Sequence, residues 1–192
     1  MGIVMKVLNR QYHRNQGREQ GFTLIELVIT IAIIAIIAAM AAPNIQKQIR
    51  QARIKDGANI IEAALKDAKS QALIRQKNIK VVLTNTSTAK NLKLFNVGDN
   101  TSTATPQQTF NLDKSITLTA NPSTLTAVSF TPNKKAYQGE TVTGTLMGRD
   151  SNGAAMTTGF SVCYGAGSDK YTIMVDANSN ICLLYTSPSP RD

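Results

Sequence analysis

Side chains able to do chemistry are sparse in this 192-residue chain, and they gather near its two ends. The first group is Gly21-Phe22-Thr23-Leu24-Ile25-Glu26-Leu27, in which Glu26 is the lone carboxylate of an apolar run that reaches Ala42. A carboxylate inside such a run costs about 2.5–3.5 kcal/mol in a membrane. Either it lies shallow enough to reach headgroup water, or it meets a partner charge. Its place in the first helical turn also suits the helix dipole. The second group is Cys163 and Cys182, too few for a disulfide framework and spaced for no zinc site. Asp150, Asp169 and Asp176 fall at turns or strand ends with no dense Asp/Asn loop, so they read as solvated turn residues. Gly165-Ala166-Gly167 lacks the rest of a phosphate loop and reads as a strand-connecting turn. The one histidine, His13, lies in the first twenty residues, and no Ser-His-Asp or Cys-His arrangement can form without it. No enzyme, metal site or cofactor is expected.

The elements around these residues sort by composition. Residues 1–21 are polar and carry Lys6, Arg10, Arg14 and Arg18 against Glu19, a net +3. The 21 residues from Phe22 to Ala42 follow, long enough as a helix to cross a bilayer's hydrocarbon core of roughly 30 Å. A secretory signal peptide is cut after its apolar stretch, whereas here the small residue stands before it. The basic flank predicts a cytoplasmic amino terminus and a translocated remainder.

Residues 43–78 continue as a helix outside the membrane, kinked where Pro43 removes a backbone donor. Ile54, Ala58, Ile61, Leu65, Ala68 and Ala72 recur in steps of four and three and make one stripe to pack on a sheet. Ile45, Ile49 and Ala52 make a second stripe facing other helices, and Gly57, at the phase shift, is a candidate soft point. From Ile79 the period changes to two. Strands are predicted over 79–83, 92–97, 115–119, 125–130, 141–147, 160–164 and 171–176, with a mobile loop over 100–108. The expected class is α+β: a long amino-terminal helix laid on a carboxy-terminal antiparallel β-sheet head over 79–181.

The junction Gly21-Phe22-Thr23-Leu24-Ile25-Glu26 closely resembles the leader of type IV prepilins and type II secretion pseudopilins. That resemblance implies a type IV pilin-like fold and cleavage after Gly21 by a membrane-embedded prepilin peptidase. It also implies N-methylation of Phe22 and places Glu26 and Pro43 where the family usually has them. The new amino group of Phe22 would then supply Glu26 with its partner charge on a neighbouring subunit. The order of head elements, with Ser129–Ala136 (SFTPNKKA) and Gly159–Gly167 (GFSVCYGAG), looks like the FimT/FimU/GspH branch of minor pilins, which sit at a fibre tip and prime assembly. The implied location is the bacterial inner membrane, single-pass with the head periplasmic, and then a pilus or pseudopilus fibre. The implied partners are the peptidase and other pilins through helix packing. A disulfide near the carboxy terminus is common in pilins, which makes Cys163–Cys182 a candidate pair beside a free thiol at Cys163.

The last eleven residues, Cys182 to Asp192, read differently. Taken back through the genetic code, they have an allowed spelling that resembles a transposon-end adapter of sequencing libraries, so 182–192 are expected to be non-native. A second function class is a pilus-tip DNA receptor for natural transformation. The head over 81–181 carries seven Lys+Arg against six acids, with Lys134-Lys135 the one adjacent pair, which a solvated turn explains. Phosphate-driven binding needs a denser basic face. Of the formal +9, a net +6 belongs instead to residues 44–80. A third reading, an uncleaved single-pass anchor, needs the Gly21-Phe22 junction to be coincidence.

Overall fold

Ala58, Ala63, Ala64, Ala68 and Ala72, set among Leu, Lys, Glu and Gln, give residues 58–75 a strong intrinsic helix bias. In the computed structural model they form the second part of helix α1 (Leu24–Arg75). The structure describes residues 22–164 and 169–186, and of 41–44 only the backbone. The expected leader with His13 and Gly21, the Gly165–Gly167 turn and the Pro43 side chain fall outside them. Two compact units meet between Pro43 and Asn44.

In the second unit, the whole stripe Ile54, Ala58, Ile61, Leu65, Ala68 and Ala72 is buried. Gly57, expected as a soft point, is a contact. A Cβ there would lie 2.8 Å from Ile116 Cδ1 and 3.4 Å from Val162 Cγ1, so the glycine lets the helix approach the sheet closely. The helix ends at Arg75, three residues short of expectation, because Gln76 adopts φ 53° and donates from Nε2 to Leu73 O at 2.7 Å.

Among the described residues nine strands follow: β1 Ile79–Asn85, β2 Lys90–Asn96, β3 Gln108–Asn111, β4 Thr117–Asn121, β5 Ala127–Phe130, β6 Ala136–Gln138, β7 Gly159–Cys163, β8 Lys170–Val175 and β9 Ile181–Thr186. They build two antiparallel sheets, in the orders β3-β2-β1-β5-β6 and β4-β7-β8-β9. Val81, Leu92, Leu94, Val128 and Phe130 from the first sheet and Leu118, Phe160, Val162 and Ile173 from the second join the helical stripe in one core.

Strands β3, β6 and β9 are additions to the expected set, and one expected strand is missing. Residues 141–147 form a tight return along β6 instead of a strand: Gln138 N–H donates to Thr145 O and Met147 N–H to Ala136 O, and only Leu146 bridges, to Tyr137. Gly139 at φ 92° opens that return. Conversely Gln108, the end of the expected mobile loop, begins β3 and pairs with Leu94. Lys80 on β1 is 3% exposed, and its ammonium meets Glu140 Oε2 at 2.6 Å and Asp99 O at 2.7 Å. Removal of either partner would leave a buried charge short of a ligand.

Candidate functional site

The first unit contains Phe22 and Thr23, at the junction singled out in the sequence, and the opening turns of helix α1. Helix α1 begins immediately after Thr23, whose Oγ1 accepts the backbone N–H of Glu26 at 3.3 Å. Leu27 N–H donates to Thr23 O at 3.2 Å. Thr23 therefore caps the helix, and Thr-x-x-Glu over 23–26 has the spacing of a capping box. This role was legible in the sequence by that spacing and is absent from the expectations above. Glu26 lies in the first turn, where a negative charge suits the unpaired N–H groups of the helix start. Its carboxylate is exposed, as is Phe22 two residues ahead of the helix, 81% accessible.

Apart from Glu26 and Thr30, the helical surface over 24–40 is apolar. Leu24, Ile25, Leu27, Val28, Ile29, Ile31, Ile33, Ile34, Ile36, Ile37 and Met40 are all exposed, on every face of the helix. A helix apolar all round belongs in a bilayer or among other helices, since water around it is unfavourable at about 25 cal/mol per Å². Thr30, the remaining hydroxyl there, returns its proton to Leu27 O at 2.8 Å and so satisfies itself without water. Among the described residues no single helical segment is long and apolar enough to cross a membrane, while Leu24–Met40 taken with Ile45–Arg75 has the length and composition for it.

The other sequence-predicted site residues stay apart from this region. Cys163 and Cys182 are both free thiols, which corrects the candidate disulfide. The register explains it. Cys163 is opposite Lys170, which is opposite Thr186, whereas Cys182 is opposite Met174. The two cysteines are therefore four positions apart along the strands and two strands apart across them, a gap of roughly 16 Å. A disulfide tolerates about 7 Å between Cα atoms. Asp150 and Asp176 each cap their own turn, accepting backbone N–H groups from Asn152 and Ala154 and from Asn178 and Asn180. Burial pushes the Asp176 carboxyl up, but the bonds from Asn180 and Asn178 and the nearby Lys69 ammonium outweigh it, and it titrates below the ordinary range. Two bonds from Ser115 likewise hold Asp113 low, helped by Arg53. Among the described residues, no group of three or more His, Cys, Asp or Glu is gathered in one place.

A set of contacts that the sequence did not announce holds the helix to the second sheet near its entry into the head. Gln51 Nε2 donates to Asp169 at 2.5 Å, Arg53 reaches Ser115 Oγ at 3.3 Å and Asp113 at 3.8 Å, and the Arg50 guanidinium lies 5.9 Å over the Tyr164 ring. Such pairings link residues 60 or more positions apart and leave no local signature. Lys134 and Lys135 form the expected turn, with Lys134 at φ 57° and Lys135 Nζ donating to Asn178 Oδ1.

Residues 16–42 match the family model described as the prokaryotic N-terminal methylation motif. No curated protein matches the sequence. The fold resembles the type IV minor pilin FimU of Pseudomonas aeruginosa in two crystal forms. One aligns at 17% identity with a TM-score of 0.51 over 68% of this chain and 91% of that one. The other aligns at 17% identity with a TM-score of 0.53 over 70% and 90%. The minor pseudopilin EpsH of the Type 2 Secretion System of Vibrio cholerae aligns at 11% identity, covering 69% of this chain and 97% of its own, with a TM-score of 0.44.

Proposed function

We propose, from an N-terminal methylation motif joined to a fold like that of a type IV minor pilin, that this chain is a type IV pilin or pseudopilin and works as a minor subunit of such a fibre. It is a structural protein whose covalent chemistry is done by another. A prepilin peptidase hydrolyses the Gly21–Phe22 amide with water, and the new amine of Phe22 then takes a methyl group from a methylsulfonium donor, which leaves as the thioether while the amine gives up one proton. Before assembly the apolar helix 22–42 is held in the inner membrane, with the head on the periplasmic side. During assembly it leaves lipid and packs among the same helices of neighbouring subunits, where its all-round apolar surface is buried again.

The observation that carries this reading is the helix itself: apolar on every face, capped by Thr23 two residues after the cleavage site, and holding one carboxylate in its first turn. In lipid that carboxylate is costly; against the ammonium of Phe22 on an adjacent subunit it is paired. Glu26 thus registers each subunit against the next. We place the subunit at the tip or in the priming complex, a position supported by the likeness to a minor pilin fold. Glu26→Ala should insert in the membrane and be processed at Phe22, yet fail to enter the fibre. Fractionation of sheared fibres against membranes reads this out, and wild-type levels of Glu26→Ala in the fibres would remove the registering role.

A further inference from the structure

The basic charge that follows the apolar run over 22–42 runs against the usual topology rule. Positive flanks mark the cytoplasmic side of a span. Yet Lys47, Arg50, Arg53 and Lys55 follow Ala42 on the expected outer side, and removal of residues 1–21 discards Lys6, Arg10, Arg14 and Arg18. Four cations on the far flank therefore do something other than orient the chain.

Their geometry suggests what. Gln46, Ile49, Arg50 and Arg53 recur at helical spacing on one face of α1, and with Tyr164 they line a shallow pocket of about 270 Å³. Arg53 is only partly neutralised, since Asp113 approaches at 3.8 Å with both side chains nearly half exposed. Arg50 spends one bond on Gln46 O, at 3.3 Å, and stacks over Tyr164, which leaves most of its donors unused. Two guanidinium forks in one pocket suit a phosphate, which they can hold by paired N–H···O bonds. Exposed Ile45 and Ile49 on the same stretch add apolar surface beside the cations. Apolar, aromatic and basic side chains together are the composition of a membrane–water interface.

The distance to a leaflet is short. Gln46 is four residues beyond Ala42 and Arg50 eight, and even a fully extended chain carries eight residues no further than about 29 Å, or about 12 Å as helix. We propose that Gln46, Ile49, Arg50, Arg53 and Tyr164 form a site for the phosphate headgroup of an anionic phospholipid in the leaflet from which the span emerges. The site holds the head against that leaflet before extraction, and it is vacated when the helix leaves lipid. This rests on the reading that residues 22–42 anchor the chain in a bilayer.

The full chain is placed in nanodiscs of equal parts phosphatidylcholine and phosphatidylglycerol, and the lipids retained on gentle release are measured by native mass spectrometry. The wild type should retain phosphatidylglycerol several-fold over phosphatidylcholine. Arg50→Gln/Arg53→Gln should retain the two equally, while Lys134→Gln/Lys135→Gln keeps the preference. Equal retention by the wild type, or a preference surviving in the folded double variant, overturns the site. Loss of fibre incorporation in the double variant without any lipid preference in the wild type also overturns it, and assigns the pocket to an acidic partner subunit. If the double variant unfolds by circular dichroism, the wild type decides alone: its preference should fall as salt is raised, and a preference indifferent to salt would contradict a phosphate–guanidinium site. Co-elution of chain and disc is recorded separately, so a failed anchor is distinguished from a failed site.

Discussion

The same side chain meets opposite fates in the two units of this protein. Ile33 and Ile36 are 52% and 60% exposed, whereas Ile54 and Ile61 are at most 1% exposed. Both pairs sit on α1 and both have the same helix propensity. What differs is the periodicity around them. Between 24 and 40 apolar residues occupy every face, and no single surface can cover them all. Between 54 and 72 they occupy one stripe, which the chain's own sheets cover. Residues 24–40 leave their apolar surface uncovered by the chain, and the second unit covers its own stripe.

The largest test of that contrast is a pair of truncations. Leu65→Ala removes a fully buried side chain and should cost about 2–5 kcal/mol of head stability. Ile33→Ala should leave the head's unfolding midpoint unchanged. Denaturant unfolding of the full chain in detergent, followed by a head-specific probe, compares them; equal losses would mean that the head does not stand on its own core.

A smaller effect is expected at Lys80. Glu140→Ala removes one of the two partners of an ammonium that is 3% exposed, though Glu140 itself is 44% exposed and already shares its charge with water. The cost should be about 1–3 kcal/mol, below that of breaking a fully buried pair. Glu140→Ala/Lys80→Met, which withdraws the stranded charge as well, should recover part of it. No recovery in the double variant would show that the pair matters through packing.

The smallest effect is a pH dependence confined to the head. Asp176 and Asp113 titrate below their ordinary 3.8, so the stability they contribute is fully present above that value. It is lost as pH falls through their lower folded values, because protonation then favours the unfolded chain. The head's melting temperature should therefore drop as pH is lowered from about 5 toward 3, and Asp176→Asn should flatten the drop. An unchanged slope in Asp176→Asn would show that Asn178 and Asn180 do not depend on its charge.

Legibility in the sequence followed the range of the interactions. The stripe over 54–72 was readable because helical burial repeats locally. The methylation motif, matched over 16–42, was readable because its signal lies in consecutive residues. Strands β3 and β6 were not, since Gln108–Asn111 holds one large apolar residue and Ala136–Gln138 only three positions. The alternation of 141–147 misled for a different reason: tight backbone bonds to β6 use up the geometry that a strand there would need. Lys80 with Glu140, and Gln51 with Asp169, join residues 60 and 118 positions apart, and no local pattern marks either pair. β9 takes Ile181–Thr186, most of it from the stretch read as adapter-derived. It sits at a sheet edge, packing only Ile181 and Leu183 against the core, so backbone pairing places it and its side chains add little.

The contrast between an uncovered helix and a self-covering head turns on what happens at Gly21. Intact-mass measurement of the chain co-expressed with a prepilin peptidase should show loss of Met1–Gly21 and gain of one methyl group on the remainder. A chain that keeps its full mass beside an active peptidase would contradict the assignment and leave an ordinary uncleaved membrane anchor.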